Sequence, residues 1–374
     1  MSSPHPAMTF LGNDTLVYDH LMANRRTALL MVAVKLKLFT RIADSVPATM
    51  TAKQLATEHG LSLRGADAML VGLCSMGLLH RLPAAEAGQS SSSLSTDFTY
   101  SESYRLSLQA ERQLVTHKST YLGHLINMDS IGYLTPDNLL KSLQADKPQV
   151  HGENTDPWEK QEQSKELNTM FTLGMRSISI VAATALRQQA ETFAHQKVVL
   201  DVGAGPGVHI AEVLKEWPAM RAIYFELPQV CKINRPYLQE QGVLDRIEMV
   251  EGSMFTDPYP THHKASGAAV DTVLLSQILH DWPIHVGCTL LQKAFTALQS
   301  GGLLVIHEKL LANDRSGPVS TAMVSIDMLF WTEGQQFTAE QLHAMLHAAG
   351  FEQPKTIPTV EYWSITVARK PLTS

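Results

Sequence analysis

The chain has 374 residues, of which 44% are hydrophobic and 18% charged, as is ordinary for a soluble globular protein. That length exceeds one typical core and predicts two domains of about 100 to 200 residues each. The formal net charge of -6 argues against a general polyanion-binding protein, because affinity for nucleic acid depends on Lys and Arg neutralising phosphates.

Cysteine usage and the N-terminal sequence bear on location. Cys74, Cys231 and Cys288 are widely spaced and include no CxxC pair, which fits a reducing compartment and gives no zinc signature. Residues 1–15 contain neither a basic nor an apolar segment, so we predict no signal peptide. The apolar stretch 28–38 is interrupted by lysines and is too short to cross a bilayer. We therefore predict a cytoplasmic protein with no membrane partner.

The first half of the chain has helical periodicity. Residues 21–39 place apolar side chains where they share one helix face. Residues 121–189 are again helical, with a polar break at 146–157. We therefore predict a mostly helical domain over 1–193.

This helical half contains the pattern of a winged helix. Thr51 can cap one helix and Gly60 can end it, and a second helix is predicted over 64–76. Short strands are predicted at Leu79–Leu82 and 98–101, with a Ser-rich segment between them. A helix pair followed by two strands around a flexible tip is typical of this module.

A winged helix invites a DNA-binding interpretation, in which the second helix would read base edges. After Arg64 this helix is almost entirely apolar, whereas a recognition helix needs polar and basic side chains. An apolar face on such a module is more typical of packing against another subunit. We therefore predict no nucleic-acid partner and a homodimer formed largely by the N-terminal half.

The hydrophobic pattern changes at residue 197. Val198–Val202 is a continuous apolar run, which is typical of a strand buried on both faces of a parallel sheet. Further strands are predicted, with helical stretches between most of them, at 222–225, 246–250, Thr272–Ser276, 303–307 and 364–368. Because strands and helices alternate, we predict a doubly wound α/β sheet over 194–374.

A glycine-rich turn and an acidic residue predict a nucleoside ligand at this sheet. The turn, 201–207, follows the first strand and has glycines at alternate positions, which permit a sharp turn and close approach of a ligand. Val208 stands where the dinucleotide-binding pattern has its third glycine. Glu226 closes the second strand, where a carboxylate can accept hydrogen bonds from both ribose hydroxyls.

A histidine and a glutamate end two further strands. His280 follows the fourth strand, and its reference pKa of about 6.5 suits general-base catalysis near neutral pH. Glu308 ends the fifth strand and brings a carboxylate to the same edge, where it can orient an imidazole and stabilise the imidazolium. The alternative is a histidine that only packs or caps the next turn.

These residues resemble those of a known family, the S-adenosylmethionine-dependent O-methyltransferases that include plant caffeate and flavonoid, acetylserotonin and bacterial tailoring enzymes. The resemblance covers most of the chain, and its most specific motif is Leu-His-Asp-Trp at 279–282. The stretches 313–318, 325–329 and 332–334 are similar to the acetylserotonin enzyme in particular, and 171–179 is similar to the helix that closes over cofactor and acceptor. The resemblance implies a Rossmann-like class I methyltransferase domain behind a dimerisation domain.

The resemblance also implies S-adenosyl-L-methionine as the methyl donor, a small-molecule acceptor and no metal. In such enzymes the glycines of the turn border the methionine moiety, and the acidic residue holds the ribose. The residues implied around the donor are Ser179, Asp201, Gly203, Gly205, Gly207, Glu226, Leu227, Ser253, Met254 and Ser276. His280 is implied as the base and Glu308 as its partner. The residues implied around the acceptor are Phe171, Met175, Asp327 and Trp331.

Two departures from the family pattern concern the site. Ser253 stands where an Asp is usual, and a hydroxyl accepts a hydrogen bond from adenine more weakly than a carboxylate does. Gln336 replaces a carboxylate that in the family helps to place the base. Because of the second departure, the sequence does not identify the acceptor.

The acceptor atom has three candidates. We expect a hydroxyl, with His280 as the base. A thioether such as 4-methylthio-2-hydroxybutyrate is an alternative, because 136–158 faintly resembles the methyltransferases of dimethylsulfoniopropionate synthesis and a thioether loses no proton. Transfer to carbon is another. In a different class, a winged-helix regulator would bind S-adenosylmethionine without turnover, which the apolar second helix and His280 argue against.

Overall fold

The computed structural model describes residues 15–82, 100, 102–130, 134–150 and 165–372. The chain divides into two compact units, 1–130 and 131–374. The boundary predicted after residue 193 lies just before the first strand of the sheet. That it separates a helical domain from a donor-binding domain stays a prediction. The unit that holds the sheet begins earlier and includes the helices that precede it.

The elements of the first unit are α1 (Thr15–Lys35), α2 (Leu38–Asp44), β1 (Met50–Thr51), α3 (Ala52–His59), α4 (Leu63–Ser75), β2 (Leu79–Leu82), β3 (Ser103–Leu106), α5 (Leu108–Gln113) and α6 (Gly123–Asp129). The helix predicted over 21–39 is two helices. Lys37 has a left-handed backbone (φ 53°) between them, and this conformation ends the hydrogen-bonding pattern of α1.

The helix pair α3–α4 forms as predicted. The Thr51 side chain accepts a hydrogen bond from the backbone of Gln54, whose own side chain accepts from the Thr51 N–H, and Gly60 (φ 65°) ends the helix. Strand β2 has the predicted bounds, and β3 pairs antiparallel with both β2 and β1. The strand predicted at 98–101 falls mostly outside the described residues, and the strand of the structure begins at Ser103 instead, where the chain becomes buried.

The apolar face of α4 is directed into its own unit. Ala66, Met69, Leu70 and Leu73 are buried in a core shared with α2 and α3. The inference that this face contacts a second subunit is therefore wrong. Large apolar side chains are exposed instead on the first turns of α1, which include Leu16, Val17, Tyr18 and Leu21.

The elements of the second unit are α7 (Pro136–Ala145), α8 (Lys165–Leu186), α9 (Ala190–Phe193), β4 (Val198–Val202), α10 (Val208–Glu216), β5 (Arg221–Glu226), α11 (Pro228–Glu240), a 3-10 turn (Leu244–Arg246), β6 (Ile247–Glu251), β7 (Thr272–Ser276), a second 3-10 turn (Leu279–Asp281), α12 (Ile284–Ala297), β8 (Leu303–Lys309), α13 (Val319–Trp331), α14 (Ala339–Ala348), β9 (Glu352–Pro358) and β10 (Trp363–Arg369). All strands predicted for this half are present, within two residues of their predicted bounds.

The sheet has the order β6-β5-β4-β7-β8-β10-β9. The first five strands are parallel, whereas β10 runs antiparallel to both of its neighbours. Core residues of α8, α10 and α11 cover one face, and those of α12 and α14 cover the other. The strand order reverses between β4 and β7, so the carboxyl ends of these strands form the crevice where open α/β sheets bind ligands.

One helix meets the length and composition criteria for a membrane span. Residues Asn168–Leu186 of α8 form a longer apolar stretch than 28–38, with a mean hydropathy of 1.3. Core helices of soluble proteins meet the same criteria. Ala182, Ala183 and Leu186 of this helix are fully buried, and Leu186 packs in the core beneath the sheet.

Candidate active site

The glycine-rich turn joins β4 to α10 at the carboxyl end of the sheet. Gly203 (φ 62°) and Gly207 (φ 72°) have backbone conformations that residues with a side chain rarely adopt. A Cβ added to Gly203 would lie 2.5 Å from Cδ1 of Ile278, and Gly207 is the N-cap of α10. Gly203 therefore leaves room for Ile278, whereas a Cβ added to Gly205 would meet only the carbonyl of Gly203 at 3.8 Å, so the turn is open to a ligand at Gly205.

The carbonyl oxygen of Gly205 is held from two sides. The Tyr224 hydroxyl donates a hydrogen bond to it, and Nδ2 of Asn234 donates another at 2.9 Å. Nη2 of Arg176 donates to Oδ1 of Asn234 at 3.1 Å, and the Arg176 guanidinium lies 3.9 Å from the centre of the Tyr237 ring. These contacts connect α8 to the glycine turn and fix the shape of the turn.

Two carboxyl groups flank the turn at the ends of β4 and β5. Asp201 is buried, and no described residue donates a hydrogen bond to its Oδ2. Burial, and after it the charge of Glu226, raises the pKa of Asp201 well above its ordinary value. Glu226 is half-buried, and its Oε2 accepts a hydrogen bond from the N–H of Leu227. A cationic group bound here would pair with Asp201. Without such a partner, the burial of Oδ2 with no hydrogen-bond donor costs free energy.

Ser253 and Met254 lie in the loop after β6. The Ser253 hydroxyl accepts a hydrogen bond from the N–H of Phe255 at 3.2 Å, and the Ser253 N–H donates to Oδ2 of Asp257 at 2.7 Å. A Cβ added to Gly203 would lie 3.6 Å from Sδ of Met254. Met254 is therefore beside the glycine turn, and the Ser253 hydroxyl already stabilises its own loop.

Ser179 and Ser276 are both engaged in hydrogen bonds. Oγ of Ser276 is 3.0 Å from Nε2 of His209 and 3.4 Å from Nδ1 of His307, while Oγ of Ser179 accepts from Nε2 of Gln277 at 3.0 Å. Burial lowers the pKa of His209 to about 4 and that of His307 well below its ordinary value, so both rings are neutral at pH 7. Within the described part of the chain, no three His, Cys, Asp or Glu side chains are grouped as a metal site.

His280 lies in the 3-10 turn after β7 and is buried. Its Nδ1 is 3.3 Å from Oε2 of Glu308 and 2.7 Å from the side-chain amide nitrogen of Gln336. Glu308 is fixed because its Oε1 accepts a hydrogen bond from the N–H of Ile278, at 3.1 Å. The structure thus brings the predicted histidine and glutamate together at the carboxyl edge of the sheet.

The orientation of the Gln336 amide decides which nitrogen of His280 carries the proton. With the amide nitrogen towards Nδ1, both Oε1 of Gln336 and Oε2 of Glu308 are buried without a donor. If the amide oxygen and nitrogen are exchanged, Nδ1–H donates to Oε1 and can share its proton with Glu308. Amide orientations are assigned from such networks. We therefore assign the proton to Nδ1, which leaves the lone pair of Nε2 as the basic site.

Burial sets the protonation of this group. It lowers the pKa of His280 to about 3, an effect that the positive charge of Lys309 strengthens and the hydrogen bond with Gln336 opposes. The expectation of an imidazole titrating near about 6.5 is therefore wrong, because the ring is removed from water. Burial raises the pKa of Glu308 to about 8, and the charge of Asp281 adds to the rise. His280 is therefore neutral at pH 7, and Glu308 is largely protonated there and ionises as the pH rises through about 8.

The four residues implied around the acceptor lie on two helices. Phe171 and Met175 are one turn apart on α8 and are half-buried. Asp327 and Trp331 are one turn apart on α13, with Asp327 exposed and Trp331 half-buried. The charge of Asp327 acts on Lys309 at the end of β8, so that part of α13 is near the catalytic pair. That all four surround one acceptor stays a prediction.

Three residues of the site were not assigned from the sequence. Oδ1 of Asp281 is 3.5 Å from Nε2 of His280, and its place next to His280 was a signal that could have identified it. Lys309 follows Glu308 directly and is buried, but a lysine at the end of a strand usually reaches solvent. Asn234 contacts the glycine turn from α11, and nothing in its local sequence indicates this.

Two family models match the sequence. The O-methyltransferase domain matches residues 137–352, more than half of the chain, and the O-methyltransferase dimerisation domain matches 18–99. The chain belongs to the O-methyltransferase family. It is an S-adenosylmethionine-dependent methyltransferase, and the resemblance stated from its sequence is confirmed.

Similar proteins of known activity include bacterial and vertebrate enzymes. The 3-hydroxy-5-methyl-1-naphthoate 3-O-methyltransferase of Streptomyces sahachiroi is 27% identical to this methyltransferase over 345 residues, covering 92% of this chain and 91% of that enzyme. The acetylserotonin O-methyltransferase of Gallus gallus is 33% identical over 172 residues, covering 46% of this chain and 47% of that enzyme.

Solved structures share the fold of this methyltransferase. Human N-acetylserotonin methyltransferase in complex with SAM has a TM-score of 0.81 and 22% identity, covering 97% of this chain and 100% of that chain. PigF with SAH has a TM-score of 0.75 and 22% identity, covering 96% and 100%. At this identity the likeness shows the fold alone, and it confirms the predicted class I methyltransferase fold, while the family model shows the N-terminal dimerisation domain.

Proposed function

We propose that this methyltransferase methylates a hydroxyl group of a small aromatic acceptor, with His280 as the general base. The observation that carries the proposal is the contact of Nδ1 of His280 with both Glu308 and Gln336, which leaves Nε2 as the basic nitrogen. The Streptomyces relative is named for transfer to a naphthoate hydroxyl, and the vertebrate relatives are named as acetylserotonin O-methyltransferases.

The donor site of this proposal is the glycine turn with its two acids. S-adenosylmethionine supplies an electrophilic methyl group on a sulfonium sulfur. The unpartnered Oδ2 of buried Asp201 and the open backbone at Gly205 fit a ligand with a cationic amino-acid moiety. Glu226 and Leu227 would hold the ribose and adenine at the end of β5, and the loop with Ser253 and Met254 would border the adenine.

His280 would remove the acceptor proton as the new oxygen–carbon bond forms. A phenol has a pKa of about 10, and general-base assistance contributes about 10²- to 10⁴-fold in rate. The methyl carbon leaves sulfur, the sulfonium becomes a neutral thioether, and the proton passes to Nε2. No metal is needed, because the base activates the oxygen.

Glu308 would stabilise the imidazolium that forms on His280. Burial disfavours the protonated form of the His280 ring and lowers its pKa to about 3. The base therefore depends on the ionised carboxylate of Glu308, 3.3 Å away. Asp281 is positioned at Nε2, and its raised pKa of about 8 leaves it largely protonated at pH 7. The base works best where Glu308 is ionised.

The acceptor would lie between α8 and the end of β8. Met175 would guide the acceptor ring, with Phe171, Asp327 and Trp331 completing the pocket. Ser179 and Ser276 would lie near the methionine end of the donor.

A second candidate is methyl transfer to a thioether. It is favoured by Gln336, which places a neutral amide 2.7 Å from Nδ1 where the family has a carboxylate, and by the lowered pKa of His280. A thioether attacks through a sulfur lone pair and releases no proton, so a weak base would suffice.

We also propose that the enzyme is a cytosolic homodimer. The dimerisation-domain match covers α1, whose first turns expose apolar side chains, and all three cysteines are free thiols. Light scattering at micromolar concentration tests the dimer, and a single species near 41 kDa would contradict it.

The acceptor atom is tested with S-adenosylmethionine that carries a ¹³C methyl group. The enzyme is incubated with 3-hydroxy-1-naphthoate and, separately, with 4-methylthio-2-hydroxybutyrate, and the products are identified by NMR and mass spectrometry. We expect a methyl ether from the naphthoate. A sulfonium product from the second compound, with no ether from the first, would replace the hydroxyl proposal by the thioether one.

A further inference from the structure

Lys309 is a buried cation next to the catalytic pair. Only 4% of its surface is exposed. The contacts of the ammonium are aromatic: Nζ lies 4.9 Å from the centre of the Trp363 ring and 5.5 Å from that of Tyr362. Aromatic faces stabilise a cation without neutralising it, so the charge stays available to an anion.

The direction of the Lys309 side chain follows from the alternation of β8. Leu303 and Val305 pack in the core that Leu186 of α8 shares, and alternate residues of a strand point to the same face. Lys309 therefore faces the side of the sheet covered by α8, the helix that carries Met175, whereas Glu308 faces the opposite side. Trp363 lies directly across from Lys309 on β10.

The charge on Lys309 is maintained at neutral pH. Burial lowers the pKa of its ammonium to about 8, while the negative charges of Glu308 and Asp327 oppose that shift. The same positive charge acts on His280, so the ammonium is within electrostatic range of the base. The ammonium of Lys309 is thus within electrostatic range of both His280 and Asp327.

We propose that Lys309 binds an anionic group of the acceptor, and that this group is a carboxylate. This inference rests on the proposed function, because it names the class of compound that the same site takes. A single ammonium matches the single negative charge of a carboxylate, and the contacts that hold this ammonium are the rings of Tyr362 and Trp363 and not acids. Lys309 is then a specificity-determining residue that also sets the distance between the acceptor nucleophile and His280.

The test compares acids with their neutral primary amides, which keep the shape and lose the charge. The pairs are 3-hydroxy-1-naphthoate and 4-methylthio-2-hydroxybutyrate, each beside its amide, and binding to the enzyme saturated with S-adenosylhomocysteine is measured by calorimetry at pH 7. For at least one pair we expect the wild type to bind the acid roughly 10- to 100-fold more tightly than the amide, the range for a charged hydrogen bond.

The variants are Lys309→Met, which keeps the length of the side chain, and Lys309→Arg, which keeps the charge. We expect the acid-to-amide ratio to fall to about 1 in Lys309→Met and to persist in Lys309→Arg, with the affinity for S-adenosylhomocysteine reporting that each variant is folded. A wild type without a preference for either acid, or a preference that survives Lys309→Met, would overturn the inference.

The outcomes separate this inference from the proposed function. Transfer to oxygen without an acid preference would leave the proposed function standing and remove Lys309 from it. Transfer to sulfur, with an acid preference that is lost in Lys309→Met, would support the role of Lys309 and contradict the proposed transfer to a hydroxyl. The comparison within the wild type needs no variant, so the inference is tested even if Lys309→Met does not fold.

Discussion

Nδ1 of His280 lies 2.7 Å from the side-chain amide of Gln336. The amide can orient the imidazole but cannot neutralise the imidazolium that forms when the ring accepts a proton. The stabilisation of that charge therefore depends on the carboxyl groups beside the ring, Glu308 at 3.3 Å from Nδ1 and Asp281 at 3.5 Å from Nε2.

Gln336→Glu is expected to raise kcat for a hydroxyl acceptor by roughly tenfold, because charge-assisted hydrogen bonds are about twice as strong as neutral ones. Gln336→Leu, which removes the hydrogen bond and keeps the volume, is the matched control and should lower kcat. Initial rates at saturating acceptor decide the matter. Equal kcat values in all three proteins would mean that this contact does not support the base.

The pH dependence of kcat/KM should report the acids and not the imidazole. The pKa of His280 is lowered to about 3, so the ring is already neutral across the usual range. The pKa of Glu308 is raised to about 8, and only its ionised form stabilises the imidazolium, so the rate should rise with pH through about 8. Because Glu308 and Asp281 are coupled, this value belongs to the pair. An acid limb near about 6.5 would show that His280 keeps its reference pKa.

Glu226→Ala should weaken the binding of S-adenosylhomocysteine by about 1.5 to 3 kcal/mol, the value of lost charged hydrogen bonds. Glu251→Ala is the control. Glu251 is exposed, lies opposite Glu226 in the register of the neighbouring strand β6, and has the same kind of side chain. Calorimetry on both variants separates a ribose contact from a general effect of charge. If both lose affinity equally, Glu226 does not hold the ribose.

Asn234→Ala should loosen the glycine turn by removing the hydrogen bond that Asn234 donates to it. Asn234 is fully buried, donates to the Gly205 carbonyl and accepts from Arg176, whose guanidinium would be left without this partner. Leaving a buried polar group unpaired costs about 1 to 3 kcal/mol. We expect a lower melting temperature together with weaker binding of S-adenosylhomocysteine. A destabilised variant with unaltered affinity would show that Asn234 supports the fold and not the turn.

The sequence was sufficient for those parts of the fold that depend on local pattern. Val198–Val202 was identified because it is buried on both faces and is apolar throughout. Strand β9 was missed because it is an edge strand with a largely polar sequence, and its pairing with β10 is not encoded locally. The break at Lys37 was missed for a similar reason, since its surroundings are apolar and continue the helical spacing.

The site was predictable as a set of residues and not as an electrostatic arrangement. His280 and Glu308 were placed together because carboxyl ends of parallel strands share one edge of a sheet. Their pKa values depend on burial by other elements, and the roles of Lys309 and Asn234 depend on what lies opposite them. A linear sequence does not contain that information.

The central claim, that His280 is the base in transfer to a hydroxyl, is tested most directly by kcat of the wild type and His280→Ala from pH 6 to 9, with the acceptor that the ¹³C experiment identifies. We expect kcat to fall by about 10²- to 10⁴-fold in His280→Ala, with S-adenosylmethionine affinity little changed and the rise with pH abolished. A flat profile in the wild type, with kcat retained in His280→Ala and the loss confined to KM, would contradict the claim.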